Sequence, residues 1–254
     1  MKFGITQSFS CSYLPERDEQ LLVFVGDDDA CAFHYPQLIQ AGFRRSGNQV
    51  YRPYCQACSA CQSLRVPVNE FKPSRSQRRI LNKNKHLQVR VAYKPDARYY
   101  PLYERYINER HADGSMYPPS QSQFDGFLAC AWSQPLFIEA YDNDKLIGVA
   151  VTDEVDSVLG HGGYSAMYTF FDPDYEKQSL GAWMILSQIK VTAQQGKTYL
   201  YLGYQIDDCR KMNYKNKYFP HERYADHQWH RINCADEIDT FQQTISQSND
   251  TSVR

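Results

Sequence analysis

One stretch, Asp172 to Pro220, constrains the fold more than any other: DPDYEKQSLGAWMILSQIKVTAQQGKTYLYLGYQIDDCRKMNYKNKYFP. An apolar-aromatic run, Met167 to Phe171, leads into it through a Pro-containing turn. Ala182, Ile185, Leu186, Ile189 and Ala193 then recur at helical spacing, so one face of this helix is buried. Gly196 ends the helix, because glycine reaches the left-handed C-terminal cap without strain. Thr198 to Leu202 is rich in β-formers and reads as a strand. Strand, turn, helix and strand call for a right-handed crossover on a sheet. A polar loop follows, and Lys211 to Phe219 alternates basic with aromatic residues. This is the expected reacting end of an enzyme that handles an acyl group.

The 254 residues suffice for one large domain or two small ones. A net charge of −1 provides no global field for nucleic acid, so any such attraction must be local. No apolar run approaches the ~20 residues of a membrane span, and MKFGITQSFSCS lacks an apolar signal core. A cytoplasmic protein is expected. In that reducing compartment, eight cysteines argue for thiols or a metal site rather than disulfides.

Residues 1–94 read as a smaller N-terminal α/β region. Leu21 to Val25 is a strand, Asp27-Asp28-Asp29 a solvated acidic loop, Tyr35 to Gln40 a short helix ended by Gly42, and Gln49 to Tyr54 extended chain. Cys55, Cys58 and Cys61 follow at C-x2-C-x2-C spacing, which lets thiolates converge on one ion. With Cys11 as the fourth ligand they form a candidate zinc or iron–sulfur site. The alternative is a tight turn of reduced, partly buried cysteines.

SLRVPVNEF reads as another strand. Lys72, Arg75, Arg78, Arg79, Lys83, Lys85 and Arg90 then lie between Glu70 and Asp96 with no acidic residue among them. Ser74 or Ser76 can cap a helix here. Arg75, Arg79 and Lys83 share one face of it, with Arg78 and Lys85 beside them. Like charges so placed cost stability and suggest a polyanionic partner whose phosphates release counterions. An ordinary solvated helix face is the alternative.

From Pro95 onward a second domain is expected, over residues 95–235. Ala97 to Arg110 is a helix with Tyr99, Leu102, Tyr103, Tyr106 and Ile107 on its core side, and His111 is its C-terminal cap. Ser120 to Trp132 is a second helix. Phe137 to Tyr141 and Leu146 to Val151 flank Asp142-Asn143-Asp144 as a hairpin, with a third strand near Val158. Gly160, Gly162 and Gly163 allow a bend before the strand Tyr164 to Phe171. Residues 236–254 read as a polar, mobile tail.

The order Asp172 to Tyr175, Gln178 to Gly181, helix, then Tyr-Leu-Tyr-Leu-Gly at 199–203 resembles the central βα unit of the GNAT acyltransferase fold. The two helices and antiparallel meander before it match that order. The implied class is α+β: a mixed, mainly antiparallel sheet with flanking helices, preceded by the cysteine-containing region. More specifically, TFFDPDYEKQSLG and YLYLGYQIDDCRKMNYKNKYFP resemble the C-terminal half of the aminoacyl-tRNA–protein transferases. The likeness runs over nearly the whole chain, to about Tyr224. It is strongest to the bacterial branch, which moves leucine from leucyl-tRNA to proteins beginning with Asp or Glu, a degradation signal of the N-end rule. Eukaryotic arginyl-tRNA–protein transferases are more distant. They carry a C-x2-C and a Cys-Cys pair where this chain has Cys11 with Leu14 and Ala60 with Cys61. Two of their four thiols are therefore absent here.

The resemblance implies leucyl-tRNA and acidic N-termini as partners and no required cofactor. The basic segment falls where the acceptor arm of tRNA is expected. An aminoacyl-tRNA is an activated ester, and an α-amine of pKa near 8 needs mainly positioning and oxyanion stabilisation. In GNAT enzymes the cleft lies where two central strands splay, here Tyr164–Phe171 and Tyr199–Gly203. Gly203 admits close backbone approach, and Tyr201, Tyr204 and Tyr214 are candidates to hydrogen-bond or to stack on the terminal adenine. Arg52, Arg65, Lys211 and Lys215 are candidate cations for the acidic acceptor. Glu139 or Asp153 could hold its α-ammonium. Leucine and arginine are not distinguished by any residue readable here, and a general base is not identified.

No Ser-His-Asp order, Walker loop or G-x-G-x-x-G occurs. Cys209 reads as a loop cysteine before an acyl carrier. A CoA-dependent N-acetyltransferase would need R/Q-x-x-G-x-G/A at the helix N-terminus. Gln178 and Gly181 fit that pattern, but Trp183 holds the second small position and is expected to obstruct the turn, so CoA is not expected. A non-catalytic zinc-containing RNA-binding protein would leave the C-terminal half without a task.

Overall fold

The computed structural model describes residues 1–114, 116–156 and 162–251. The strand expected near Val158, and Gly160 of the expected bend, lie outside them.

The N-terminal layer comprises β1 (Lys2–Ile5), β2 (Phe9–Ser10), β3 (Asp18–Glu19), β4 (Leu21–Val25), α1 (Asp28–Gln40), β5 (Arg44–Ser46) and β6 (Gln49–Pro53). After it come β7 (Gln62–Pro67), α2 (Arg75–Lys83), β8 (Gln88–Ala92), α3 (Tyr99–Arg110), α4 (Gln121–Leu128), β9 (Leu136–Asp142), β10 (Lys145–Val155) and β11 (Gly163–Phe171). A 3-10 turn (Pro173–Gln178) leads to α5 (Leu180–Gln194) and β12 (Tyr199–Gln205). A second 3-10 turn (Asn213–Lys217), β13 (His221–Ala225), β14 (Gln228–Ile232) and α6 (Asp236–Thr251) complete the chain.

The large sheet has the order β14-β13-β7-β12-β11-β10-β9-β8. Its described pairs are antiparallel except β11–β12, the one joined by the helical crossover. A smaller sheet runs β1-β4-β6-β5. Strand alternation divides the helices between two faces. Leu200 and Leu202 of β12 enter the main core with Met184 and Leu186 of α5, and Gly148 leaves room for the Met184 sulfur. Tyr201 points the other way, into a second core with Tyr35, Leu38 and Ile39 of α1. α3 lies on that same side, where the Tyr99 ring packs at a tilt on Phe137, 5.1 Å between centres, and its hydroxyl donates to Glu139 at 2.7 Å.

Three expectations change. The acidic run Asp27–Asp29 is the start of α1. Asp27 caps it by accepting from the Ala30 N–H at 2.8 Å, and Asp28 and Asp29 complement the helix dipole. Strands β7 and β8, both before residue 94, belong to the large sheet, which therefore draws on both sides of the expected junction at Pro95-Asp96. The expected mobile tail is helical through Thr251, because Phe241 and Ile245, one helical turn apart, bury against Ile232 of β14.

Candidate active site

β11 and β12 pair only through Gly163↔Tyr199, Tyr164↔Leu200 and Ser165↔Tyr201, and then part. At the parting, the pairing of β12 with β7 shifts register between Tyr201 and Gly203. Gly203 has φ +84, a left-handed conformation that favours glycine at this bulge. The gap carries the Arg44 guanidinium. Nη2 donates to the Ala166 carbonyl of β11 at 2.7 Å, and a Cβ on Gly203 would lie 3.7–3.9 Å from the guanidinium. Arg44 is 5% exposed, and its buried Nη1 has no hydrogen-bond partner among the described residues.

Lys215, in the 3-10 turn after β12, is 3% exposed. Its Nζ donates to the Met212 carbonyl at 3.3 Å and lies 4.5 Å from the centre of the exposed Tyr214 ring. Burial, and then the Arg44 charge, pull its pKa down to about 7. The groups that push it back up are the thiols Cys209 and Cys61, not carboxylates.

The other expected residues fare differently. The Tyr201 hydroxyl is buried, accepting from Gln40 Nε2 at 2.6 Å. The Tyr204 hydroxyl donates toward the Gly42 and Tyr51 carbonyls at 3.3 and 3.2 Å. Both tyrosines tie the N-terminal layer to the sheet, so neither hydroxyl faces the gap freely. Arg65 pairs with Glu222 at 2.6 Å and is held between the Tyr199 and Trp229 rings, 3.8 and 4.1 Å away. Arg52 donates to the Ala41 carbonyl and lines a 290 Å³ pocket with Phe3, Leu22 and Phe43. Lys211 pairs with Asp113 on the surface at 2.7 Å. Of the four candidate cations, only Lys215 is both buried and without a carboxylate among the described residues.

Glu139 accepts from Tyr99 and Tyr141, and Asp153 is taken by Arg45 and Tyr35. Neither carboxylate is free to hold an α-ammonium. His111 is the C-cap of α3, and Cys209 is buried.

The basic helix forms as its cap predicts. Ser74 accepts from the Gln77 N–H while Gln77 Oε1 accepts from the Ser74 N–H, a reciprocal capping box. Arg75, Arg78, Arg79, Lys83 and Lys85 are all exposed. Gln77 Nε2 donates to the Lys217 carbonyl at 3.0 Å, so α2 docks on the turn that carries Lys215. At its other end, Lys83 and Asn84 donate to the Lys177 and Gln178 carbonyls at the entrance to α5. The Trp183 indole is packed in the core. Trp183 therefore does not project into that turn as expected, and the end of α2 packs on the junction instead.

The four cysteines are brought into one neighbourhood. Burial, followed by Cys58, Cys11 and Cys55, pushes the Cys61 thiol up to about 12. No three of them are disposed to hold an ion among the described residues. In this arrangement the described thiols do not make a ligand set.

The sequence model described as "Arginine-tRNA-protein transferase, N terminus" matches residues 9–79, and the one described as "Arginine-tRNA-protein transferase, C terminus" matches residues 98–225. Together they span more than half of the chain. The chain belongs to the arginine-tRNA-protein transferase family. Among its relatives, a protein named aspartate/glutamate leucyltransferase from Aeromonas salmonicida is 52% identical over 93% of this chain and 98% of its own length. One of the same name from Pseudoalteromonas atlantica is 49% identical over 93% of this chain and 100% of its own. Among solved structures, the C-terminal domain of a putative lysylphosphatidylglycerol synthetase from Agrobacterium fabrum is 12% identical, covering 68% of this chain and 52% of that one. Its TM-score of 0.43 is too low to assign the fold. This aminoacyl-tRNA–protein transferase thus has the first half of α2, through Arg79, in its N-terminal family segment and β11, β12 and Lys215 in its C-terminal one. Arg44 is the site residue that sequence reasoning missed. Its only signal is an Arg-Arg pair just after the αL glycine Gly42.

Proposed function

We propose that this chain transfers leucine from leucyl-tRNA to the N-terminal α-amine of proteins beginning with Asp or Glu, marking them for degradation in the cytoplasm. The observation that carries the reading is the docking of the basic helix α2 on the turn beside the β11–β12 gap, through Gln77 and Lys217. A single acceptor stem can then lie on α2 and deliver its 3′ end to the gap. The names of the relatives supply the donor and the acceptor.

The sheet is read as GNAT-like because its one parallel pair splays after a strand–helix–strand crossover. The chemistry asks little beyond geometry. The amine nitrogen bonds to the leucyl carbonyl carbon and the ester C–O bond to the tRNA ribose breaks. The proton lost from nitrogen ends on the departing ribose oxygen. Backbone groups of the unpaired strand ends are placed to stabilise the developing oxyanion, and Gly203 leaves the approach open. Tyr214, exposed at the rim, is the candidate surface for the terminal adenine. The end of α2 packs on the entrance to α5, whose backbone amides a CoA-dependent enzyme would need open for pyrophosphate, which weighs against that rival.

The test is incubation of the protein with leucyl-tRNA and arginyl-tRNA, each with peptides beginning Asp, Glu, Lys or Ala. Label should move from leucyl-tRNA to the Asp and Glu peptides only. Transfer from arginyl-tRNA alone would overturn the donor, and indifference to the first residue would overturn the acceptor.

A further inference from the structure

Arg44 and Lys215 are two buried basic side chains at one site, and no carboxylate faces either among the described residues. Elsewhere in the same molecule buried guanidiniums are matched. Arg45 meets Asp153, Arg65 meets Glu222, and Arg223 meets Asp207. An unmatched buried charge is costly, and an arginine cannot escape by losing its proton. The Arg44 Nη1 lacks even a hydrogen-bond partner. Among the described residues Lys215 has a carbonyl at 3.3 Å, the Met212 sulfur at 3.6 Å and the Tyr214 ring, none of them an anion. The site is therefore short of one anion.

We infer that Arg44, with Lys215, is the specificity pocket for the side-chain carboxylate of the acceptor's first residue. This inference rests on the proposed transfer to acidic N-termini. A carboxylate accepts two guanidinium N–H bonds side by side, so it suits an arginine with a spare nitrogen. The place is also right. Arg44 spans the point where β11 and β12 part, between the Ala166 carbonyl and Gly203, so a residue held there keeps its α-amine at the gap. The half-exposed Tyr214 ring lies 4.5 Å from the Lys215 ammonium, on the solvent side of the site. The same two charges act on the amine as well. Cations nearby disfavour a second ammonium, so the bound α-amine is shifted toward its neutral, nucleophilic form. An Asn or Gln terminus leaves both cations unmatched and is rejected.

The test compares peptide pairs, Asp against Asn and Glu against Gln, with saturating leucyl-tRNA on wild type, Arg44→Gln and Lys215→Gln. Discrimination within one preparation is independent of how much protein is folded. In Arg44→Gln the Asp-to-Asn ratio of kcat/KM should fall by roughly 100-fold or more. The loss should lie mainly in KM for the Asp peptide, with leucyl-tRNA binding, followed by filter retention, within threefold of wild type. Lys215→Gln should move the ratio in the same direction by a smaller factor. An intact ratio in both variants overturns the pocket. So does a loss of leucyl-tRNA binding with the ratio intact, which would assign the cations to an RNA phosphate. If wild type itself does not distinguish Asp from Asn, the proposed acceptor fails before the pocket is reached.

Discussion

Arg44 and Arg45 are neighbours on one short strand, and both are buried, yet they live in opposite electrostatic circumstances. Arg45 donates to both oxygens of Asp153, at 2.8 and 2.5 Å, and Tyr35 donates to the same carboxylate at 3.2 Å. Among the described residues Arg44 has one carbonyl and no carboxylate. The first arrangement fastens the N-terminal layer to β10 and is complete without a ligand. The second leaves charge to be neutralised at the gap between β11 and β12. Burial alone thus does not separate a structural arginine from a functional one, whereas the identity of its partner does.

The largest expected effect lies on the matched side. Asp153→Asn leaves Arg45 buried and uncompensated, and should lower the free energy of unfolding by about 3–5 kcal/mol. Urea unfolding measures it. Replacing both partners by apolar residues, Arg45→Met with Asp153→Leu, should cost much less, since the pair's desolvation is removed with its attraction. A double variant as damaged as the single one would mean that Asp153 matters for something other than Arg45.

α2 offers the exposed counterpart of Arg44, cations without acids on a solvated face. Arg75→Ala, Arg79→Ala and Lys83→Ala together should reduce the slope of log affinity for tRNA against log salt by about 2 to 3, a loss on the order of 100-fold at 0.1 M. Thermal stability should hardly change. A slope equal to that of wild type would return α2 to the status of an ordinary surface helix.

How far this contrast was legible in the sequence depends on the range of the interaction involved. α5 and β12 follow from local signals, namely the 3.6-residue spacing from Ala182 to Ala193 and the glycine at 196, which indeed has φ +68. The capping box of α2 is equally local. Asp27 was misread because a run of three acids looks the same whether it floats in a loop or opens a helix. α6 was misread because two apolar residues one turn apart, Phe241 and Ile245, are a thin stripe in a polar stretch. The insertion of β7 between β12 and β13 joins residues more than a hundred positions apart, and no periodicity encodes it. Arg44 was invisible for the same reason, since its surroundings are supplied by Ala166, Gly203 and Lys215. The Tyr201 and Tyr204 hydroxyls were expected in the cleft, and tertiary contacts with Gln40, Gly42 and Tyr51 claim them instead.

His221 shows the escape that Arg44 lacks. It is fully buried, stacked on Phe219 at 4.9 Å, with Nε2 accepting from Arg223 Nε at 3.4 Å. Burial, and then the Arg223 charge, hold its pKa down to about 3, so it goes without a counter-ion by staying neutral. The unfolded chain binds this proton near pH 6.5 and the folded one does not. Stability therefore falls as pH drops from 6.5 toward 3, by about 2 kcal/mol at pH 5. Denaturation at pH 7 and pH 5 should show this loss in wild type. His221→Gln should lack it whatever its own stability at pH 7.

The smallest expected effect is the sharpest test of the opening contrast. Arg44→Gln removes a buried charge that no described residue neutralises. It forfeits the bond to the Ala166 carbonyl, about 1 kcal/mol net, and regains part of the desolvation penalty of the guanidinium. The two terms oppose each other, and unfolding free energy should stay within about 1 kcal/mol of wild type. Arg45→Gln, one residue along the same strand, should cost several times more because it strands Asp153. Equal losses at the two positions, read by urea unfolding under the same conditions, would make Arg44 a second structural arginine. The gap beside Gly203 would then have no cation reserved for a substrate except Lys215.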